Sequence, residues 1–270
     1  MTYGQITESA DYIKSKIKSL PEAAIILGSG LSPLGDRIED KTVIPYKEIP
    51  NFPVSTVKGH AGNLIVGTLQ NKTVLCMQGR FHYYEGYTMQ EVTFPIRVMQ
   101  LLNIKKLIVT NAAGGVNPEF SAGDIMIITD HISRMPNPLI GPNDEKLGER
   151  FPSMSEVYSK KFIELVKQTA EEKNITLKEG VYVGNTGPSF ETSAEYIMFR
   201  NLGISAVGMS TVPEVIVAAH GGMRVLGLSV ISNVFNENLQ QEPSHLEVLQ
   251  NVSLANKKLI ELISAFIEKI

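Results

Sequence analysis

The sequence predicts an α/β fold in a single domain covering residues 1–270, with a largely parallel sheet. Three observations predict it. Short apolar runs rich in β-branched residues alternate with amphipathic stretches along the whole chain. No composition break, internal repeat or low-complexity tract marks a linker. The length of 270 residues lies between one and two domains, and α/β folds often run past about 200 residues as one unit.

The apolar runs fall at residues 23–27 (AAIIL), 74–77, 106–110 (KLIVT), 125–129 (IMIIT), 181–183 and 225–231. Their shortness and β-branched density favour buried strands over helices. Helix starts are marked by Ser or Thr followed three residues later by Glu. That spacing lets the two side chains satisfy two orphan backbone donors. It occurs at Thr88 with Glu91, Ser153 with Glu156, Thr192 with Glu195, Thr211 with Glu214 and Ser244 with Glu247. The last pair opens a C-terminal helix whose Leu246, Leu249, Val252, Leu259, Leu262, Ile263 and Phe266 form an apolar stripe. Gly, Pro and Asn predict loops at 28–35, 111–118, 136–152 and 232–243. The loop at 136–152 is long, which suits a functional or subunit contact.

Composition excludes several classes. Lys and Arg number 25 against 28 Asp and Glu, a net charge of −3. A general nucleic-acid binder normally shows a basic excess, so no nucleic-acid partner is expected. A local anion site is still allowed. The lone cysteine, Cys76, rules out an internal disulfide and a four-cysteine zinc site. No cluster has metal-ligand spacing, so no metal is expected. The first residues lack the apolar core of a signal peptide. No apolar run reaches the ~18–20 residues of a membrane helix. The chain is therefore expected to be cytoplasmic, with no membrane partner.

Candidate site residues cluster at predicted strand ends, where open α/β sheets bind ligands. Gly28-Ser29-Gly30-Leu31-Ser32-Pro33 follows the first strand. Its free N–H groups suit an anion, although a structural turn explains the glycines equally. Pro33 breaks the dinucleotide fingerprint, and no Walker lysine is present. Arg80-Phe81-His82-Tyr83-Tyr84-Glu85 packs an Arg, a His, two Tyr and a Glu into one short stretch. The guanidinium fork and the imidazole are phosphate or carboxylate ligands. His60, flanked by glycines, is either a ligand or a turn residue. Asn111-Ala112-Ala113-Gly114-Gly115 leaves room for a ligand against the backbone, or makes a tight turn with positive-φ glycine. Phe190 can stack on a flat ring, and Glu191 can accept from a heterocycle edge. The plain alternative for that segment is a loop leading into a helix. Ser210 sits at a helix mouth suited to an anion, and Asn233 offers both donor and acceptor. Asp130 and His131 are neighbours on a strand, face opposite ways and form no dyad.

Taken together these segments resemble the trimeric purine nucleoside phosphorylase family. The matching motifs are GSGL at 28–31, KGHAGNL at 58–64, QGRFHYYEGY at 78–87, VTNAAGG at 109–115, GPNDEKLGERFP at 141–152, TGPSFET at 186–192, GMSTVPEV at 208–215, ISN at 231–233 and PSHLEV at 243–248. They occur in family order and cover most of the chain. The resemblance implies a mixed, barrel-like central sheet flanked by helices. It implies phosphorolysis of inosine, guanosine and their deoxy forms, with inorganic phosphate as co-substrate and no cofactor.

Residue roles follow from the resemblance alone. Ser29, His60, Arg80, His82, the Ala112 backbone and Ser210 would hold phosphate. Phe190, Glu191, Met209 and Asn233 would hold the purine. Tyr84, Met209 and His245 would meet the ribose. Asn233, Glu191 and His82 would carry catalysis. Phe151 would enter the site of a neighbouring subunit in a homotrimer. The first loop departs from the family by reading GLSP after Gly30, and residues 234–241 match no family pattern. Methylthioadenosine phosphorylase is the nearest alternative, but that family has Asp where Asn233 stands and lacks the Phe-Glu-Thr glutamate. A Rossmann dehydrogenase is disfavoured by Pro33. A non-catalytic nucleoside binder is the third reading.

Overall fold

A computed structural model describes residues 1–54, 61–235 and 245–270, with residues 245–249 described by backbone only. The described strands are β1 Ala23–Leu27, β2 Glu39–Pro45, β3 Asn63–Leu69, β4 Lys72–Gln78, β5 Lys106–Gly115, β6 Ile125–Ser133, β7 Leu177–Gly184, β8 Ile204–Gly208 and β9 Arg224–Val234. The α-helices are α1 Tyr3–Lys16, α2 Met89–Val92, α3 Phe94–Leu101, α4 Lys160–Glu172, α5 Ser193–Asn201, α6 Val212–His220 and α7 His245–Glu268.

The strands lie in the order β2-β3-β4-β1-β5-β8-β7-β6-β9, and β9 pairs back onto β5. Five strands, β5, β8, β7, β6 and β9, therefore close into a barrel. The other four extend from it as an open wing. β5 belongs to both parts: its first half pairs with β1, its whole length with β9, and Gly114 and Gly115 with β8. The barrel-like α/β expectation is met. The sheet is mixed rather than largely parallel, because β2–β3, β3–β4, β5–β8 and β6–β9 run antiparallel.

Burial explains which strands were legible. Every residue of β1 is buried, as a central strand covered on both faces requires. β2 reads EDKTVIP and is mostly exposed at the sheet edge, so it carries no apolar run. β8 is only ISAVG, and β3 is interrupted by Gly67 and Thr68. These three strands lacked a sequence signal strong enough to predict. Asn111–Gly115 is the second half of β5, not a turn, and Asn233 lies within β9 rather than in a loop. Gly114 and Gly115 are glycine because of crowding. A Cβ on Gly115 would lie 3.0 Å from Ile231 and Val234, and one on Gly114 would lie 3.1 Å from the Tyr196 hydroxyl.

Two of the expected capping boxes form, at Thr88 with Glu91 and Thr192 with Glu195. A third, at Thr2 with Gln5, starts α1 and places Ile6, Ala10 and Ile13 on its buried face. Ser153 and Glu156 start no helix; α4 begins at Lys160, capped by Ser159. Thr211 and Glu214 do flank a helix start but make no cap, for reasons that belong to the site. Ser244 lies outside the described residues, as does the Glu247 side chain. Along α7, Val252, Leu259, Leu262, Ile263 and Phe266 are buried as expected. Phe266 meets Phe162 of α4 edge-on at 5.3 Å. Leu246 and Leu249 fall among the residues described by backbone only.

Candidate active site

The carboxyl ends of β1, β4, β7 and β8 and the second halves of β5 and β9 converge on one pocket. Ser29, Arg80, His82, Tyr84 and Ala112 line one side. Ser210 stands beside Arg80, and Phe190, Glu191, Met209 and Asn233 complete the lining. The described side chains expected in the site therefore come together. His60 lies outside the described residues, and the His245 side chain is not described. Phe151 is 86% exposed and sits beside Pro152 and Met154, away from this pocket.

The anion side is built around Arg80, which is 2% exposed. Its Nε donates to Glu214 Oε1 at 2.8 Å, and its Nη1 donates to the Thr110 carbonyl at 2.6 Å and to Ser210 Oγ at 3.2 Å. The guanidinium is thus fixed by α6, β5 and the β8–α6 turn at once. Glu214 stands at the third position of α6, where a capping box would use it. A cap is worth about 1 kcal/mol. Leaving a buried charge unpaired costs about 3–5 kcal/mol, so Glu214 pairs with Arg80 instead.

Thr211 then takes an unusual backbone. Its φ is 74° and ψ −53°, and Val212 N–H donates to the Ser210 carbonyl at 2.8 Å. This is a γ-turn of the rare positive-φ kind, a strained conformation. The turn is held by Asn111 Nδ2, which donates to Thr211 Oγ1 at 2.8 Å, and by the Tyr182 hydroxyl, which donates to the Ser210 carbonyl at 3.3 Å. The strain sets the Ser210 hydroxyl beside the guanidinium. Gly28 completes this side by close approach. A Cβ there would lie 2.7 Å from Asn111 Cα, a backbone atom that cannot step aside. Only glycine lets the Ser29 loop lie against β5.

His82 is buried, with its ring stacked on Tyr84 at 4.7 Å. Glu85 Oε1 lies 3.1 Å from His82 Nδ1 and also accepts from the His82 N–H at 2.8 Å. Burial lowers the imidazole pKa from its ordinary 6.5, against the opposing pull of Glu85. The Tyr84 hydroxyl is pushed up to about 12, again mainly by burial, so it remains a neutral donor.

The opposite side has the chemistry of a flat, polar-edged ring. Phe190 is 44% exposed at the pocket rim, while Glu191 is buried. Asn185 Nδ2 donates to Glu191 Oε1 at 2.7 Å. The Ser232 hydroxyl donates to Asn233 Oδ1 at 2.7 Å, which leaves the Asn233 amino group to face a ligand. Met209 packs against Gly187, whose φ of +61° favours glycine. Asn111 and Glu214 stand in segments the sequence singled out, without the roles they take here, whereas Tyr196 and Asn185 were not expected from the sequence. Among the described residues no His, Cys, Asp and Glu group could hold a metal. No described helix is long and apolar enough to cross a membrane.

A pocket pairing an arginine-centred anion site with an acceptor and a donor for a heterocycle edge suits transfer between an anion and a nucleoside. Comparison with known proteins agrees. Residues 22–268 match the family model of the phosphorylase superfamily. Purine nucleoside phosphorylase 1 of Geobacillus stearothermophilus is 54% identical over 263 residues, covering 97% of this chain and 96% of that protein. A crystal structure of Schistosoma mansoni purine nucleoside phosphorylase in complex with inosine is 42% identical with a TM-score of 0.95, covering 100% of this chain and 97% of that one. Another from the same organism, in complex with adenosine, has a TM-score of 0.95 at 42% identity and covers 100% and 98%. The chain belongs to the phosphorylase superfamily. Within it, the chain is a member of the purine nucleoside phosphorylases, and it is an enzyme of that activity.

Proposed function

We propose that residues 1–270 act as one catalytic domain that cleaves 6-oxopurine nucleosides, inosine and guanosine and their deoxy forms, with inorganic phosphate. The observation that carries the reading is the convergence of the buried Arg80–Ser210 pair with Glu191 and Asn233 on one pocket.

In this reading phosphate rests on Ser29, Arg80, His82, the Ala112 N–H and Ser210, with His60 as a further ligand. Tyr84, Met209 and His245 meet the sugar. A phosphate oxygen attacks the anomeric carbon as the bond to N9 breaks. The bonding pair leaves on the purine, which gains the proton that phosphate gives up. Glycosidases use two carboxylates for comparable chemistry. Here the nucleophile is already an anion and needs no base. Asn233 donates to the N7 and O6 edge, where negative charge develops. Losing such a donor costs about 3 kcal/mol, or on the order of 10²–10³ in rate.

Glu191 accepts from N1–H, which a 6-oxopurine has and a 6-aminopurine lacks. Since a relative holds adenosine in its crystal, the discrimination is expected in kcat/KM rather than in admission to the pocket. Purified protein with inosine is expected to release hypoxanthine only when phosphate is present, and faster than it cleaves adenosine or methylthioadenosine. Asn233→Asp is expected to move the preference towards 6-aminopurines; an unchanged inosine-to-adenosine ratio would refute the role given to Asn233. The reading includes a cytoplasmic homotrimer in which the exposed Phe151 covers a neighbour's pocket. A stable monomer by light scattering would contradict that part.

A further inference from the structure

We propose that Asn185 is a positioning residue for base recognition: it holds the Glu191 carboxylate as an acceptor and so sets the preference for 6-oxopurines. The proposal deepens the reading of this site and rests on Glu191 facing the purine.

Asn185 directly follows β7. Its backbone N–H donates to the Gly208 carbonyl at 2.8 Å, which pins it to the end of β8, just before Met209 and Ser210. Its side-chain amide reaches Glu191 Oε1 at 2.7 Å. Asn185 does not line the pocket, whereas Glu191 does. Any influence on substrate therefore passes through the carboxylate.

A carboxyl group buried beside Phe190, Tyr196 and Met209 has two states open to it. Ionised, it only accepts hydrogen bonds; protonated, it carries an O–H and can donate. Removal from water favours the protonated state, and a donor held against an oxygen favours the ionised one. The Asn185 amino group can only donate, so Oε1 is held as an acceptor. The two purine classes differ at the atom this decides. A 6-oxopurine presents N1–H, a donor that suits an ionised carboxylate. A 6-aminopurine presents a bare N1 lone pair, which suits a protonated one. Without the Asn185 clamp, the carboxylate is no longer held as an acceptor for N1–H, and the advantage of a 6-oxopurine shrinks.

The test compares Asn185→Ala, Asn185→Asp and Glu191→Ala with the unmodified enzyme, each checked for folding by circular dichroism. Asn185→Ala is expected to lower inosine kcat/KM about tenfold or more, the usual effect of one hydrogen bond to a charged group. The loss should fall mainly on the inosine KM, with adenosine kcat/KM and the phosphate KM within about twofold. Asn185→Asp places a second carboxylate against Glu191, and the pair cannot both stay ionised. Its inosine-to-adenosine ratio is expected to fall further and to become pH-dependent near neutrality. Where adenosine turnover is too slow to read, calorimetric binding of hypoxanthine and adenine replaces it. Equal losses for inosine, adenosine and phosphate in Asn185→Ala would reveal a packing role and overturn the proposal. So would an unchanged ratio in both Asn185 variants while Glu191→Ala abolishes the preference. An unchanged ratio in Glu191→Ala would overturn the base-recognition reading itself, and the proposal with it.

Discussion

At the residue scale, the decisive feature is how much protein is committed to one arginine. Arg80 and Glu214 are 134 residues apart in sequence, yet both are nearly sealed from water. A buried ion pair contributes little net stability over an apolar pair, but removing one partner strands the other charge. Glu214→Ala is therefore expected to destabilise the fold by about 3–5 kcal/mol, read by urea denaturation. It should also raise the phosphate KM more than the nucleoside KM. Arg80, Ser29, Ala112, Ser210, Phe190, Glu191, Met209 and Asn233 were legible in the sequence because they sit in Gly- or Ser-rich segments at or beyond the first apolar run of a strand. The roles of Glu214 and Asn111 were not, and neither Tyr196 nor Asn185 was singled out at all. Each sits where an ordinary structural role explains it: a helix cap, a small-residue turn, an amphipathic helix, the end of a strand. Only the packing of distant segments reveals their second use.

At the element scale, β5 and the β8–α6 turn position Arg80 and Ser210, the centre of the proposed phosphate site. The first loop touches β5 without an intervening side chain, because Gly28 N–H donates to Thr110 Oγ1 at 3.2 Å and its Cα lies against Asn111. Gly28→Ala would force a methyl into that backbone. The expected cost is about 1–3 kcal/mol, typical of overpacking, measured by thermal or urea unfolding. The phosphate KM is expected to rise while the nucleoside KM changes less, since the displaced Ser29 loop lies on the anion side. Strand legibility followed burial. β1, β4 and β9 announce themselves through buried apolar runs, whereas exposed β2 and the small-residue β8 do not. The extent of β5 was misjudged because its second half is built of small residues, which usually mean a turn and here mean crowding between strands.

At the scale of the whole molecule, the three histidines whose side chains are described share one property. Burial lowers the pKa of His82, His131 and His220 below the ordinary 6.5. A histidine lowered in the folded state contributes stability that is present above its unfolded value and lost as pH falls through its folded one. Urea midpoints are therefore expected to drop steadily from pH 7 to pH 5, and a flat profile would count against these shifts. His220 adds a local consequence. Its Nδ1 accepts from Arg97 Nη1 at 2.8 Å and its Nε2 lies 3.3 Å from Asn143 Oδ1, so its protonation would set it against Arg97 while Nε2–H still donates to Asn143.

The closure of β9 onto β5 has a further consequence for how such an enzyme can be altered. Ser29 and the Arg80–His82–Tyr84 segment hang from the open wing, whereas Glu191, Met209 and Asn233 hang from the barrel. In the proposed reading the leaving group is held from the barrel alone, and the attacking group from the wing together with Ser210 and Ala112 of the barrel, with β5 as the common wall. On that reading, substitutions at Glu191 or Asn233 are expected to retune which base departs while Ser29 and the Arg80–His82 segment keep their hold on the nucleophile. The architecture is modular at the level of the reaction, although the chain that forms it is continuous.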